Sequence, residues 1–419
     1  MTNLNDLDCY LVGGAVRDRL LGLPVKDRDW VVVGATPDDM LARGFKQVGN
    51  DFPVFLHPHS GEEYALARIE RKTGQGHGAF AFDTSASVTL EEDLSRRDLT
   101  INAIAEREDG TLVDPYGGVA DIKARVLRHV SDALIEDPLR VLRVARFAAR
   151  FADLQFTIDV DTMRIMSEMA AGDELNTLSV ERVWSETERA LLSDTPVQYF
   201  RVLRACGALA RLFPEIEALF GVPQPAQWHP EIDTGVHTFM VLEQATVLSA
   251  SPEVRFAALV HDLGKAVTPV EQWPSHRGHE AAGAELVDAL CERLRAPKRY
   301  WQLARNVAAY HLHCHRALEL KPKSVVKLFE RLGAFRDVQR LQDFLIACEA
   351  DARGRTGLEQ RPYPQRQYLL DAFAAAAAID NARIAAEGHT GAAFGNALHA
   401  ARLHAVAAVK AQLPDSASE

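Results

Sequence analysis

A change of hydrophobic period near residue 135 divides this chain into two kinds of protein. Upstream, short apolar runs of strand type alternate with helix signals. "CYLV" is stopped by Gly13-Gly14, and "AVRDRLLG" reads as a helix closed by Gly22, with Pro24 beyond it. "WVVVG" (30–34) is the continuous apolar run of a buried strand. Thr36-Pro37 supply an N-cap and a first helical residue, for a helix that Gly44 closes. "EEYALARIE" (62–70) predicts one further strand, and "AEREDGTLVD" a hairpin turning at Asp109-Gly110. Downstream, strand signals nearly vanish. "DPLRVLRVARFAARF", "TMRIMSEMA", "VERVWSETERALL" and "VQYFRVLRACGAL" all place apolar residues at helical spacing. The expected class is α+β, a head on a small mixed sheet followed by mostly helical domains.

A chain of 419 residues exceeds what one hydrophobic core organises. "FGVPQPAQWHPEID" (220–233) has prolines and no periodicity, which predicts a domain boundary there. The expected division is a head at 1–135, a helical neck at 136–225, a second helical block at 226–375 and a helical tail at 376–419. "LPDSASE" at the end reads as disordered. The net charge of −11 argues against a general nucleic-acid coat protein and leaves room for a local basic patch. Five scattered cysteines, never in a CxxC, read as reduced thiols of a cytoplasmic protein. The N-terminus lacks a basic n-region, and no apolar stretch suffices to span a bilayer, so no membrane partner is expected.

"VKDRDWVVVG" (25–34) sets Asp27 and Asp29 at the lip of the buried strand. If the strand begins at Lys26, the two carboxylates share a face and repel unless a cation sits between them. Oxygen ligands favour a hard ion such as Mg²⁺, which would bridge triphosphate oxygens; a solvated turn is the plainer alternative. Upstream, "LVGGAVRD" runs strand, glycine pair, helix. Two glycines admit a phosphate close to the backbone, and the helix N-terminus favours anions. In "RRD" (96–98), Arg97 could offset triphosphate charge and Asp98 accept from a ribose hydroxyl. A surface turn capped by Asp98 explains the same residues.

"LVGGAVRDRLLG…KDRDWVV", "DLSRRDLTINAIA" and "EDPLRVLRVARFAARF" together resemble the bacterial tRNA nucleotidyltransferases, the CCA-adding enzymes of the class II polymerase-β-like superfamily. The resemblance implies a polymerase-β-like head in which Asp27 and Asp29 are catalytic metal ligands. It makes Gly14 and Arg17 nucleotide contacts, strengthens Arg97 and Asp98, and offers Glu63 as a third acidic position. The substrates implied are ATP, CTP and a tRNA 3′ end, with the chain acting as a monomer or homodimer. The Gly-rich stretch 73–80 lacks the ending of a P-loop and reads as a mobile loop; it is a candidate for an element that moves as the site switches from C to A.

Arg140, Arg143, Arg146 and Arg150 fall within an arc of roughly 120° of one helix, with Val141, Val144, Ala148 and Phe151 opposite. Such a stripe is a solvated face or a basic cleft wall. Cytosine and adenine each present an amino donor beside a ring-nitrogen acceptor; uracil and guanine present the reverse. A carboxylate and a guanidinium would accept the first pair and clash with the second. The resemblance gives that template role to Asp137 with Arg140, and nucleotide contacts to Arg143 and Arg146. Asp137 as a plain helix cap before Pro138 is the alternative.

In the second block, "AALVHDLGKA" puts His261 beside Asp262 in a predicted helix, with His237 upstream and Asp351 far downstream. Imidazole with carboxylate suits a transition metal such as Mn²⁺, Co²⁺ or Ni²⁺. The order His, His-Asp, Asp resembles the HD phosphohydrolases, with His261 and Asp262 catalytic. It implies a metal-dependent phosphatase, 2′-nucleotidase or 2′,3′-cyclic phosphodiesterase. His279 and His311 are candidates for extra phosphate ligands, and the alternate histidines of "HLHCH" (311–315) are expected not to share a helix face. A bacterial poly(A) polymerase and a nucleotide-sensing HD phosphohydrolase are the competing functions.

Overall fold

The computed structural model describes residues 7–48, 54–72 and 80–413. They form two compact units, Met1–Leu212 and Phe213–Glu419. The proline-rich segment 220–233 lies inside the second. Residues 73–79 of the Gly-rich stretch and 414–419 of the polar tail lie outside the described residues.

The first unit opens with β1 (Asp8–Val12), α1 (Gly14–Leu20), β2 (Asp29–Val33), α2 (Pro37–Ala42), β3 (Lys46–Val48), β4 (Val54–Leu56) and β5 (Glu63–Leu66). β6 (Ile69–Lys72) and β7 (Phe80–Asp83) form a separate hairpin, followed by α3 (Leu90–Ser95), β8 (Ala105–Glu106), β9 (Leu112–Val113) and α4 (Gly118–Ala124). The main sheet has the order β3-β4-β5-β2-β1-β8-β9. Only β2 and β5 pair in parallel, so the sheet is mixed. Val31 and Val32 point to opposite faces. Val31 packs with Tyr10, Val12, Leu90 and Leu94, while Val32 packs with Met40, Phe45, Phe55 and Leu66. Burial on both faces is why β2 reads as an unbroken apolar run.

Two expectations change here. The expected strand 62–70 is broken after Leu66: β5 stays in the main sheet and β6 leaves for the hairpin. β2 starts at Asp29 rather than Lys26, so Asp27 lies just outside it. The Thr36 cap, the Gly44 stop and the turn at Asp109-Gly110 stand as expected.

The neck adds α5 (Leu139–Arg150), α6 (Val160–Ala171), α7 (Val180–Leu191), α8 (Val197–Ala205) and α9 (Ala208–Leu212). The predicted single helix 197–209 is cut at Gly207, whose φ of +82° is left-handed. α5 buries Val141, Leu142, Val144 and Ala145 completely and packs on α7 and α8.

The second unit is helical among its described residues: α10 (Pro214–Glu217), α11 (Thr234–Leu248), α12 (Pro252–Leu259), α13 (His279–Arg293), α14 (Lys298–His315), α15 (Pro322–Leu332), α16 (Val338–Arg353), α17 (Pro364–Ala377), α18 (Asn381–Ala386) and α19 (Gly391–Lys410). α12 ends before His261 and Asp262, which occupy the turn leading into a 3₁₀ segment at Leu263–Val267; they are not in a helix. Gly264 makes that turn possible. A Cβ there would lie 1.9 Å from the His279 carbonyl oxygen, so only glycine lets the turn press against α13. No helix of the described residues is long and apolar enough to cross a membrane.

Candidate active sites in the two units

In the first unit, β1 pairs with β2 so that Val12 faces Asp29, which brings the glycine pair beside the aspartates. Glu63 is in register with Asp29 on the parallel strand β5, and so shares its face. Asp29 keeps an exposed residue surface. Its carboxyl is nevertheless raised above the ordinary value, first by partial burial; Arg97 opposes this and the charge of Asp27 adds to it. Carboxylate oxygens are donors of the kind Mg²⁺ takes, but Asp27, Asp29 and Glu63 do not bring theirs together into one three-ligand group here, and of the three only Asp29 lines the adjoining cavity.

Beside Asp29 opens a cavity of about 480 Å³, lined among others by Gly13, Gly14, Arg17, Arg97, Asp98 and Asp137. Arg140, Arg143, Arg146 and Arg150 all line it as well, so the α5 stripe faces the cleft. Each of these arginines is already bonded. Arg143 donates to Asp98 Oδ2 (2.8 Å), Arg146 to Glu186 Oε2 (2.5 Å) and Arg150 to Asp18 Oδ2 (2.7 Å). Arg140 donates to the carbonyl oxygens of Ala133 and Arg96. Arg17 is buried, donates to Asp18 (2.9 Å) and to Asn102 Oδ1, and lies over the rings of Phe147 and Phe151. Arg97 donates to Asp93 Oδ2 (3.2 Å) and to the Asn102 carbonyl (3.3 Å). Its Nε is buried and has no hydrogen-bond partner among the described residues. Gly13, at φ +67°, permits this: a Cβ would sit 2.9 Å from Arg97 Nη1.

Asp98 is buried and accepts from the Leu99 amide, Asn102 Nδ2 and Arg143. Burial opposes its charge, but Arg143 and these hydrogen bonds hold the carboxyl far below its usual range. It is therefore no surface cap. Asp137 and Arg140 differ from the sequence expectation of neighbours on one helix face. Asp137 precedes α5 in extended conformation, accepts from the Leu139 amide (3.1 Å), and pairs with Arg182 through both oxygens (3.3 and 2.8 Å). The helix following Pro138 starts too late to include it. Sequence reasoning missed Arg182 and Asn102. Ser179, which caps α7, and the Arg182/Glu186 spacing were the available signals.

In the second unit the four expected residues converge. His237 Nε2 lies 3.1 Å from Asp351 Oδ1 and 3.9 Å from Asp262 Oδ2. His261 Nε2 lies 3.1 Å from Asp262 Oδ2 and 3.7 Å from Asp351 Oδ1. His261 Nδ1 faces the Ala258 carbonyl (2.8 Å) and His237 Nδ1 the Gly354 carbonyl (3.0 Å). A carbonyl only accepts, so both Nδ1 atoms carry hydrogen, and each Nε2 is turned toward carboxylate oxygens. Either a proton or a metal ion can fill such a contact; burial opposes a proton on His261, but Asp262 and Asp351 raise its pKa, and Lys265 Nζ already meets Asp262 Oδ2 at 2.6 Å. His261 Nε2 and Asp262 Oδ1 are buried without hydrogen-bond partners. These residues fit a transition metal in a mixed nitrogen and oxygen shell.

Asp262 Oδ1 also lies 3.4 Å from His279 Nε2 and 3.6 Å from His311 Nε2, atoms themselves 3.3 Å apart. Burial pushes His311 down to about 3, so it is neutral near pH 7. This second trio could hold a cation too. Within "HLHCH", His311 and His315 do share a face, being four residues apart; His315 Nε2 contacts Asp351 Oδ2 (2.6 Å) and only His313 is exposed. Lys265, His315 and Tyr363 were not foreseen. They line a cavity of about 800 Å³ together with Trp228, His229 and Arg355.

Three family profiles match the chain: "Poly A polymerase head domain" over 9–128, "Probable RNA and SrmB-binding site of polymerase A" over 155–220, and "HD domain" over 234–374. A curated protein of Thioalkalivibrio sulfidiphilus, named multifunctional CCA protein, is 60% identical over 96% of this chain and 98% of its own length. The chain belongs to the multifunctional CCA protein family. A second member, from Hahella chejuensis, is 57% identical over 98% of this chain and 97% of its own. A multifunctional CCA protein is a CCA-adding nucleotidyltransferase with an HD domain, and this enzyme has both parts. The fold agrees: the crystal structure of Bacillus stearothermophilus CCA-adding enzyme in complex with CTP aligns at TM-score 0.61, 25% identity, over 96% of this chain and 90% of that one.

Proposed function

We propose that this multifunctional CCA protein adds C, C and A to tRNA 3′ ends from CTP and ATP, reading the base with its own side chains. The observation that carries this is the cavity joining Asp29 to Asp137, Arg140 and the α5 arginines. Asp27 and Asp29, with Glu63 alongside, would hold Mg²⁺, which when bound assists deprotonation of the RNA 3′-hydroxyl and offsets charge on the triphosphate. Arg97, Arg143 and Arg146 face the phosphates, and Gly14 lets them approach the backbone. Asp137 accepts from the amino group of C or A while Arg140 donates to the ring nitrogen. The hydroxyl attacks the α-phosphorus, a new P–O bond forms, and pyrophosphate leaves. The functional divisions are the head at 1–135, the neck at 136–225, the HD segment at 226–375 and the tail at 376–419.

At the HD site, His237, His261, Asp262 and Asp351 would hold a divalent transition metal such as Ni²⁺, Mn²⁺ or Co²⁺, which polarises a phosphoryl oxygen. Lys265 and Arg355 supply positive charge at the adjoining cavity. The chemistry is hydrolysis of phosphomonoesters, 2′-phosphates and 2′,3′-cyclic ends.

A transcript ending before CCA, incubated with labelled CTP and ATP, tests the first activity. Ordered C, C, A addition is expected. Tails of A alone would favour a poly(A) polymerase, and no incorporation would leave a nucleotide-sensing hydrolase.

A further inference from the structure

The proline-rich segment 220–233 reads in sequence as a linker, yet it carries polar side chains into the HD cluster. Gln224 Oε1 accepts from Lys265 Nζ. The Glu231 side chain is 2% exposed, and its Oε1 lies 3.0 Å from both His229 Nδ1 and His237 Nδ1. Its other oxygen accepts from the Thr356 amide (3.4 Å). The segment is pinned by the Gln224 amide donating to the Ile232 carbonyl (2.7 Å) and by a bridge between Pro223 and Asp233.

His229, Glu231 and His237 are spaced like a cation site. Hydrogen positions argue otherwise. His237 Nδ1 faces two acceptors, the Gly354 carbonyl and Glu231, so it carries hydrogen and ligates nothing. Its Nε2 is the atom turned toward Asp351 and Asp262. The Gly354 carbonyl could select this tautomer alone. Only the carboxylate adds negative charge to the imidazole, which strengthens Nε2 as a donor.

We propose that Glu231 is a positioning residue of the HD metal site: it orients His237 and raises the basicity of the nitrogen that meets the cation. This rests on the reading of His237, His261, Asp262 and Asp351 as that site. His229 shares the same oxygen and so competes for it.

The test is calorimetric titration of the full-length chain with Ni²⁺ alone. The binding component absent from His261→Ala defines the HD site. Glu231→Gln keeps the side chain's shape and should weaken that component about 10–100-fold, with CTP incorporation unchanged. His229→Ala should leave it equal or tighter. Glu231→Gln binding within about twofold of wild type would overturn the proposal. So would His229→Ala weakening Ni²⁺ as much as Glu231→Gln does, since packing of the segment would then be responsible. Identical isotherms for wild type and His261→Ala would overturn the metal site itself, and the role of Glu231 with it. If Glu231→Gln also lowers CTP incorporation, Glu231→Asp decides: it keeps the charge and should recover part of the affinity, and no recovery counts against the proposal.

Discussion

Asp98 carries a buried charge that several partners hold in place. Its carboxylate is 4% exposed and meets Arg143 Nη2 at 2.6 Å. Asp98→Asn should cost about 1.5–3 kcal/mol at neutral pH, the range for charged hydrogen bonds, because the Arg143 side chain is 35% exposed and water screens the charge left behind. A depressed folded pKa contributes stability above the ordinary value of 3.8 and loses it as pH falls through the folded value. Thermal unfolding midpoints of the two chains should therefore differ at neutral pH and approach one another in acid. Gly13→Ala makes a second residue-level case. Gly13 holds φ +67° and ψ −125°, outside the left-handed helical region, where a side chain costs about 1–3 kcal/mol, and the Cβ would displace Arg97. Both a lower unfolding midpoint and weaker CTP binding are expected. At this scale the sequence singled out Arg143 and Asp98 as candidates but not their bond to one another: they are far apart in the chain, and no period links them.

Among the elements, α5 was the most legible. Its apolar stripe and arginine row follow the helical period, and the row does face the cavity. Where α5 begins was less legible, and that displaced Asp137 from the helix and hid Arg182. Arg182→Ala should free Asp137, lower kcat/KM for CTP about 10–100-fold by loss of charged hydrogen bonds, and raise UTP misincorporation relative to CTP; single-nucleotide addition assays measure both. Retained selectivity would leave Arg182 a structural partner. The 220–233 run failed for a different reason. Proline and the lack of periodicity say only that a segment is irregular, and an irregular segment can be a linker or a wall of a site.

At the scale of the whole molecule, the chain places its two clusters in separate compact units. His261→Ala should abolish hydrolysis of 2′,3′-cyclic ends while CTP incorporation continues, and Asp29→Asn should do the reverse, each lost activity falling about 10²-fold or more. Loss of both from either substitution would contradict independent sites. The α+β class was legible because period 2 and period 3.6 occupy different stretches. The mixed sheet order was not, since pairing of β2 with β5 skips the intervening strands.

The bonded state of the α5 guanidinium groups has an energetic consequence. Immobilising a long side chain on an incoming anion ordinarily costs ~1–2 kcal/mol of rotamer entropy each time. Here folding has removed that freedom beforehand, so repeated nucleotide capture meets the same rigid mould, and fidelity rests on steric and donor–acceptor fit rather than on charged arms closing around whatever arrives.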